Sequence, residues 1–451
     1  MNGSSNASET IQAARGHPLL GRLRLPGDKS ISHRSLLIGS LGTGTSRVRG
    51  LGDGLDVRST ADCLRMLGVE VSTEGEETVV RGRLRGHTLS GNPFAEPSGV
   101  LDCGNSGTTM RLLLGLLAGP GGLTVLAGDS SLSARPMRRV TQPLAEMGAR
   151  IWGRDGGSLA PLAVLGSVLH PAQHEIGVAS AQVKSALLLA GLRAQGVTRV
   201  VEPAPSRDHT ELMLAAAGAD ARRVDERTVE IGGPAQLSPL DLTVPGDPSS
   251  AAFWVAAASA VPDSHVRLEG VSINPTRLGF LAVLGRSGAR IAIRPTRTEG
   301  GEPVGDIEVR SAELRGFSIG EAEVPSLIDE IPILALLACT ATGRSELTGL
   351  GELRRKETDR LSCLVTGLRA MGAEVEQLLD GLAVEGPQKL SAPDEPLASQ
   401  GDHRMAMTWA IAALLASGHV QFDGAESVGV SYPSFFADLS RLASGDRGGA
   451  A

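Results

Sequence analysis

LPGDKSISHRSLLIGS, residues 25–40, is the stretch from which the rest of the chain is read. Pro26 and Gly27 form a tight turn. Asp28, Lys29 and Ser30 follow it, and Ile31, Leu36, Leu37 and Ile38 open an apolar helix. Lys29, Ser30, His33 and Arg34 therefore fall on the first turns of that helix. Unpaired N–H groups and a partial positive charge at a helix start favour anions. A capped helix with solvated charges is the plainer reading of this stretch alone. An echo argues against it: VPGDPSSAAFWVAAASA, residues 244–260, repeats the apolar residue, the Pro-Gly-Asp turn, the serine and the apolar helix. The duplicated turn implies two similar halves, with the chain crossing between them at both copies.

With 451 residues the chain exceeds one ordinary core, so two domains are expected. Gly and Ala abound and aromatics are scarce, which suits short turns and close helix packing. A net charge of −7 gives no case for nucleic acid. Cys63, Cys103, Cys339 and Cys363 are scattered without C-x-x-C spacing. That fits a reducing compartment and argues against a structural zinc or a disulfide framework. The polar N-terminus holds no signal-peptide core, and residues 1–18 are expected to be disordered. No apolar run nears the 18 residues of a membrane span, so no membrane role is expected. The tail after Leu442 is expected to fray.

A second signal repeats along the chain: a helix ends in Gly, a small residue follows, and a strand begins. It occurs as LRMLGVEV, LAEMGARI, LAAAGADA, LGRSGARI and LRAMGAEV, with Gly68, Gly148, Gly218, Gly288 and Gly372 at the stops. One such Gly is a helix cap; five at one period indicate a repeated α/β unit. A sixth is expected near residue 440, in FFADLSRLAS. Between these lie helices apolar nearly all round, at 30–41, 107–118, 181–190, 249–260, 329–338 and 404–416, so each is expected to be buried. Six units of one buried and one amphipathic helix make three per half. Buried helices with strands outside would be an inverted α/β barrel; an ordinary α/β sheet protein has the same repeat.

The charged clusters fall at these helix starts. LRRKETDRL, 353–361, sets Lys356 and Arg360 on one face if helical, with Glu357 three residues from Arg360. GDHRMAM puts Asp402, His403 and Arg404 at a buried-helix start. A cation is unfavourable there unless an anionic ligand lies between. SARPMRRV supplies Arg135, and SAQVK places Ser180 and Gln182 where capping is the default role. IDEIPILA offers Asp329 and Glu330, one a natural N-cap and the pair a candidate acid/base. His209 in SRDHTEL reads as structural. Converging helix starts and cations predict a highly anionic ligand or ligand pair. There is no metal-ligand spacing, Walker A loop or dinucleotide fingerprint, so neither a metal site nor the use of an NTP or a dinucleotide is expected.

LPGDKSISHR, GNSGTTMR, ARPM, SAQ, IDE, RRKETDRL and DHRMAM, in this order, resemble the 5-enolpyruvylshikimate-3-phosphate synthase family from about residue 20 to 440. The resemblance implies two inverted (inside-out) α/β barrel-like domains, each of three repeated α/β units. The first would hold 1–26 plus 246–451 and the second 27–245, with the active site in the cleft between them. It implies transfer of the enolpyruvyl group of phosphoenolpyruvate to the 5-hydroxyl of shikimate 3-phosphate without a cofactor, by a cytoplasmic monomer. Lys29 would touch both substrates. Ser30, Arg34, Ser180, Ala181, Gln182 and Arg207 would bind shikimate 3-phosphate, together with Asp329 and Lys356. Gly107, Arg135, Gln182, Arg360 and Arg404 would bind phosphoenolpyruvate. Asp329 matches the proton acceptor, Lys356 the residue beside the attacked hydroxyl, and Glu357 a candidate for protonating the methylene carbon.

The chain departs from the family at Val430, where some members carry a lysine, and at Ala181, which replaces a serine. GDKS, SAQVK, NPTR at Asn274 and RDHTE at Arg207 are similar to the class II, less glyphosate-sensitive branch, so glyphosate tolerance is expected; the retained Gly107 speaks the other way. The related UDP-N-acetylglucosamine enolpyruvyl transferases use a cysteine where this chain has Ser130. A non-catalytic anion-binding protein would not need Asp329, Lys356 and Glu357 beside the cations.

Overall fold

The computed structural model describes residues 9–10, 17–82 and 92–445. They divide into two compact units. Unit 1 runs to Pro26 and holds Gly246–Arg297 and the chain from Val304; unit 2 holds Gly27–Pro245 and Thr298–Pro303. The strand Leu20–Arg24 explains the split N-terminal piece, because it pairs in parallel with the 265–269 part of the strand His265–Ser272. Thr298–Pro303, expected with the first domain, belongs instead to unit 2. There Glu299 accepts the Thr243 N–H at 3.1 Å, and Glu302 lies 2.6 Å from Nδ1 of His209.

Each unit is built on three buried helices. In unit 2 they are α1 (Lys29–Leu41), α2 (Gly107–Leu117) and α3 (Ala181–Gly191). In unit 1 they are α4 (Pro248–Ala260), α5 (Ile331–Ala338) and α6 (His403–Leu415). Their sequences carry apolar or small residues on every face, so burial on all sides costs little and removes most of their surface from water. Each unit has its own contiguous apolar core, and these helices run through it. Small residues set how closely they pack: a Cβ on Gly115 of α2 would lie 2.2 Å from the Ala186 carbonyl of α3.

The amphipathic helices alternate with the buried ones, and all end alike. Gly68, Gly148, Gly218, Gly288 and Gly372 have φ of 80°, 101°, 92°, 99° and 85°. The next residue donates its N–H back to the leucine four before the glycine, from Val69 to Leu64 through to Ala373 to Leu368, at 2.9–3.0 Å. That geometry closes the helix through a left-handed residue, which only glycine adopts without strain. The sixth copy ends the helix Phe435–Ala443 at Gly445, φ 68°.

Among the described residues the strands form five four-stranded sheets and a two-stranded ladder. In each four-stranded sheet one strand pairs in parallel on one side and antiparallel on the other. The α/β repeat is thus realised as separate small sheets around buried helices; no closed barrel forms among the described residues. The ladder pairs Glu9–Thr10 with Gln421–Phe422, so the expected disorder of 1–18 fails at these two residues and at 17–18. The rest of that expectation, and the tail beyond 445, lie outside the described residues.

Candidate active site

In unit 2, the turn quoted at the outset sets the start of α1. Asp28 caps the helix by accepting the Ile31 N–H at 2.8 Å, and its own N–H donates to Pro245 at 2.7 Å. Lys29, next in line, reaches Oδ2 of Asp56 at 3.1 Å. One turn on, Arg34 is buried and held by three neutral acceptors. Nε donates to Thr210 Oγ1 at 2.6 Å, one terminal nitrogen to Ser185 Oγ at 2.7 Å, the other to the Ser30 carbonyl at 2.9 Å. Burial pushes its guanidinium down to about 10, against the pull of Glu211, Asp28 and Glu302. The positive charge of Arg207 pushes it the same way as burial, so two cations act on one spot. His33 beside it is fully buried, with Nδ1 2.7 Å from Thr60 Oγ1. Burial holds its pKa at about 3, Lys29 and Arg34 adding to the effect and Asp56 opposing it.

The other helix starts of unit 2 bring the remaining residues. Ser106 caps α2 through the Thr109 N–H, which places Gly107 in its first turn. A Cβ there would stand 2.6 Å from a terminal nitrogen of Arg111 and 3.5 Å from one of Arg135. Arg135 bonds Oδ1 of Asn105 at 2.5 Å. Arg111 donates to Gln182 Oε1 at 2.6 Å, and Gln182 donates to Thr108 Oγ1 at 2.9 Å. Gly107, Arg135 and Gln182 thus share one neighbourhood, joined by Arg111. Ser180 occupies the capping position of α3, yet its side chain makes no capping bond. The default role expected for it is not used. Ala181 follows in the first turn, where the backbone N–H groups have no helical partner.

In unit 1, Asp329 is the meeting point. Its Oδ1 lies 3.2 Å from Lys356 Nζ and 3.3 Å from Arg360. Arg404 donates to its backbone carbonyl at 3.2 Å and lies 3.8 Å from Oδ2. Arg360 also holds Glu357 Oε2 at 2.6 Å and Asp402 Oδ2 at 2.7 Å. Burial lowers its pKa, but the carboxylates of Asp402, Glu357 and Asp329 together outweigh burial and raise it.

Two expectations are corrected here. Lys356 and Glu357 do not share a helical face with Arg360. The helix starts at Arg360, capped by Asp359, and Lys356 ends the preceding 3₁₀ turn Gly351–Arg355. Asp359 bonds the Ser362 N–H, so the helix cannot extend back through Lys356. Neither acid of the IDE segment caps α5: Glu330 stands at the capping position without a side-chain capping bond. The cation at the start of α6 is met by carboxylates of the chain itself, since Asp402 caps that helix through Arg404 N–H and Arg404 faces Asp329.

Sequence reasoning missed Arg111, Asp56, Thr210, Ser185 and the carboxylate role of Asp402. Arg111 had a signal, since it stands four residues after Gly107 on one helix. Thr210 and Ser185 had none, because a hydroxyl that orients an arginine 176 or 151 positions away looks like any other.

Comparison with known proteins bears on what this arrangement does. Residues 13–439 match the family model for EPSP synthase (3-phosphoshikimate 1-carboxyvinyltransferase). A 3-phosphoshikimate 1-carboxyvinyltransferase of Synechococcus sp. (strain RCC307) is 51% identical over 95% of this chain and 98% of its own. One of Geobacillus kaustophilus is 49% identical over 94% and 98%. The solved EPSP synthase of Acinetobacter baumannii superposes with a TM-score of 0.84 at 38% identity, covering 96% of this chain and 97% of its own. The enolpyruvyl transferase NikO of Streptomyces tendae, at 20% identity and a TM-score of 0.75 over 95% and 96%, shares the fold.

Proposed function

The chain belongs to the EPSP synthase family, and on that premise we propose that it transfers the enolpyruvyl group of phosphoenolpyruvate to the 5-hydroxyl of shikimate 3-phosphate, releasing phosphate. The observation that carries this is the Asp329 carboxylate, met by Lys356 at 3.2 Å and Arg360 at 3.3 Å. A carboxylate so placed accepts the hydroxyl proton while the cations bind the donor's anionic groups. The hydroxyl oxygen bonds to C2 of phosphoenolpyruvate and C3 takes up a proton, giving a tetrahedral adduct. Loss of a C3 proton and of phosphate then restores the double bond.

In this reading Lys29 touches both substrates. Arg34, Ser30, Arg207, Ser180, Gln182 and the backbone at Ala181 hold shikimate 3-phosphate. Gly107, Arg135, Gln182, Arg360 and Arg404 hold phosphoenolpyruvate. Glu357 protonates C3, and Lys356 stands beside the attacked hydroxyl. No cofactor enters the scheme. We read the enzyme further as a cytoplasmic monomer; its four cysteines are free thiols, as a reducing compartment keeps them.

The test is phosphate release with both substrates together, with UDP-N-acetylglucosamine as the competing acceptor. Turnover is expected only with shikimate 3-phosphate. Asp329→Asn is expected to lower kcat by roughly 10²–10⁴, the range of a lost general base, and to change the KM for shikimate 3-phosphate far less. Turnover with the nucleotide sugar, or with neither acceptor, overturns the reading.

A further inference from the structure

One sequence motif has no place in the scheme above: NPTR, Asn274 to Arg277. Its residues form a short 3₁₀ turn, Pro275–Arg277, capped by the Asn274 side chain through the Thr276 N–H. The turn delivers Arg277 into the interior, where it is 2% exposed. One terminal nitrogen of Arg277 donates both to Asp247 Oδ1, the cap of α4, at 3.1 Å and to Ser249 Oγ at 2.8 Å. A serine hydroxyl has one proton to give. With a guanidinium donating to its oxygen, Ser249 is left to donate, and its partner is Glu330 Oε1 at 2.5 Å. The same Oε1 lies 3.8 Å from the terminal nitrogen of Arg404 that bonds the Asp329 carbonyl.

Glu330 is a costly residue to keep there. It is 2% exposed, caps no helix, and its Oε2 has no hydrogen-bond partner among the described residues. A half-satisfied buried carboxylate weakens a fold rather than supporting it. Its position is accounted for by what it faces. We propose that Arg277, Ser249 and Glu330 form a positioning relay for Arg404. Arg277 sets the direction of the Ser249 hydroxyl, Ser249 sets the carboxylate of Glu330, and Glu330 holds the Arg404 guanidinium in register with Asp329. None of the three is assigned a substrate contact. The proposal rests on the functional reading above, in which Arg404 binds phosphoenolpyruvate.

The experiment is steady-state kinetics on wild type, Ser249→Ala, Ser249→Thr and Glu330→Gln, with thermal melting alongside. Ser249→Ala is expected to raise the KM for phosphoenolpyruvate roughly tenfold, part of the ~10²-fold that a 1 Å misplacement costs. The KM for shikimate 3-phosphate is expected to change less than about twofold by the same localisation. Ser249→Thr, which keeps the hydroxyl, restores the donor KM. Glu330→Gln reads the link from its other end with the same split, and stands in if Ser249→Ala does not fold. In an Arg404→Lys background Ser249→Ala adds little, because its effect runs through Arg404. A wild type without turnover overturns the functional reading and this one with it. Turnover with an unchanged donor KM, with both KM values raised alike, or with additive double-mutant effects overturns this one alone.

Discussion

Arg34 in unit 2 and Arg360 in unit 1 are both buried, at 3% and 1% exposure, and they are held in opposite ways. Two hydroxyls and a carbonyl hold Arg34 by hydrogen bonds, while the carboxylates of Glu211, Asp28 and Glu302 act on it through charge alone and do not outweigh its burial. Three carboxylates surround Arg360. The titration directions follow: burial wins at Arg34 and pulls it down to about 10, while the carboxylates win at Arg360 and push it up. The same side chain on the same repeated scaffold thus serves two purposes. An oriented, uncompensated cation is a ready anion site, at the expense of the unliganded fold. A cation wrapped in carboxylates fixes those carboxylates for proton work, and the fold depends on it.

The largest test of this contrast is Arg360→Met. Removing the cation takes a buried ion-pair partner from Asp402, Glu357 and Asp329 at once, and the unliganded protein is expected to lose about 3–5 kcal/mol in urea unfolding. A loss under about 1 kcal/mol, the size of an exposed ion pair, would break the comparison. Arg34→Met is the counterpart. No carboxylate loses a hydrogen-bonded partner, so unliganded stability is expected to stay within about 1 kcal/mol or to rise. Shikimate 3-phosphate binding, followed by calorimetry, is expected to weaken by roughly 1.5–3 kcal/mol for a lost charged hydrogen bond.

His33 sharpens the contrast through pH. Its folded-state pKa of about 3 lies below the ordinary 6.5. Above pH 6.5 neither state takes up the proton. Between 6.5 and 3 only the unfolded chain does, so this contribution to stability falls as the solution is acidified. Its slope approaches about 1.4 kcal/mol per pH unit below the ordinary value. His33→Gln is expected to flatten the stability profile from pH 6.5 to 5, and an unchanged slope would show that His33 is not the titrating group.

The smallest effect is expected from Gly107→Ala. The new Cβ meets the flexible end of Arg111 at 2.6 Å, so the fold gives way cheaply while the guanidinium moves off Gln182. The KM for phosphoenolpyruvate is expected to rise a few-fold, and the glyphosate inhibition constant to rise more, because the longer anion needs more of the pocket. In the unmodified enzyme that constant is expected to exceed the donor KM; a value well below it places the chain with the sensitive enzymes.

Much of this was legible in the chain itself. The L-x-x-x-G repeat marked five α/β units, with a sixth expected near residue 440, because a helix stop through a left-handed residue is a local requirement that one glycine meets. The all-apolar segments determined which six helices are buried, since no partner is needed to know that such a helix leaves water. The duplicated Pro-Gly-Asp turns marked Pro26 and Pro245, beside which the two units divide.

What the sequence left open depends on residues far apart in the chain. Pattern reading offered a shared face for Lys356 and Arg360 if the segment is helical, but Asp359 starts the helix at Arg360, and a 3₁₀ turn and the residues after it bring Lys356 and Glu357 to the same spot. It assigned capping to Ser180 and to one of the IDE acids, and no side chain there caps its helix. The difference between Arg34 and Arg360 was invisible, because the partners of a guanidinium lie in other repeats: Thr210 and Ser185 for one, Asp402 and Asp329 for the other. Local backbone chemistry is written in neighbouring residues and can be read there. Whether a buried charge is neutralised is decided by groups within about 4 Å in space, and only the tertiary structure says which those are.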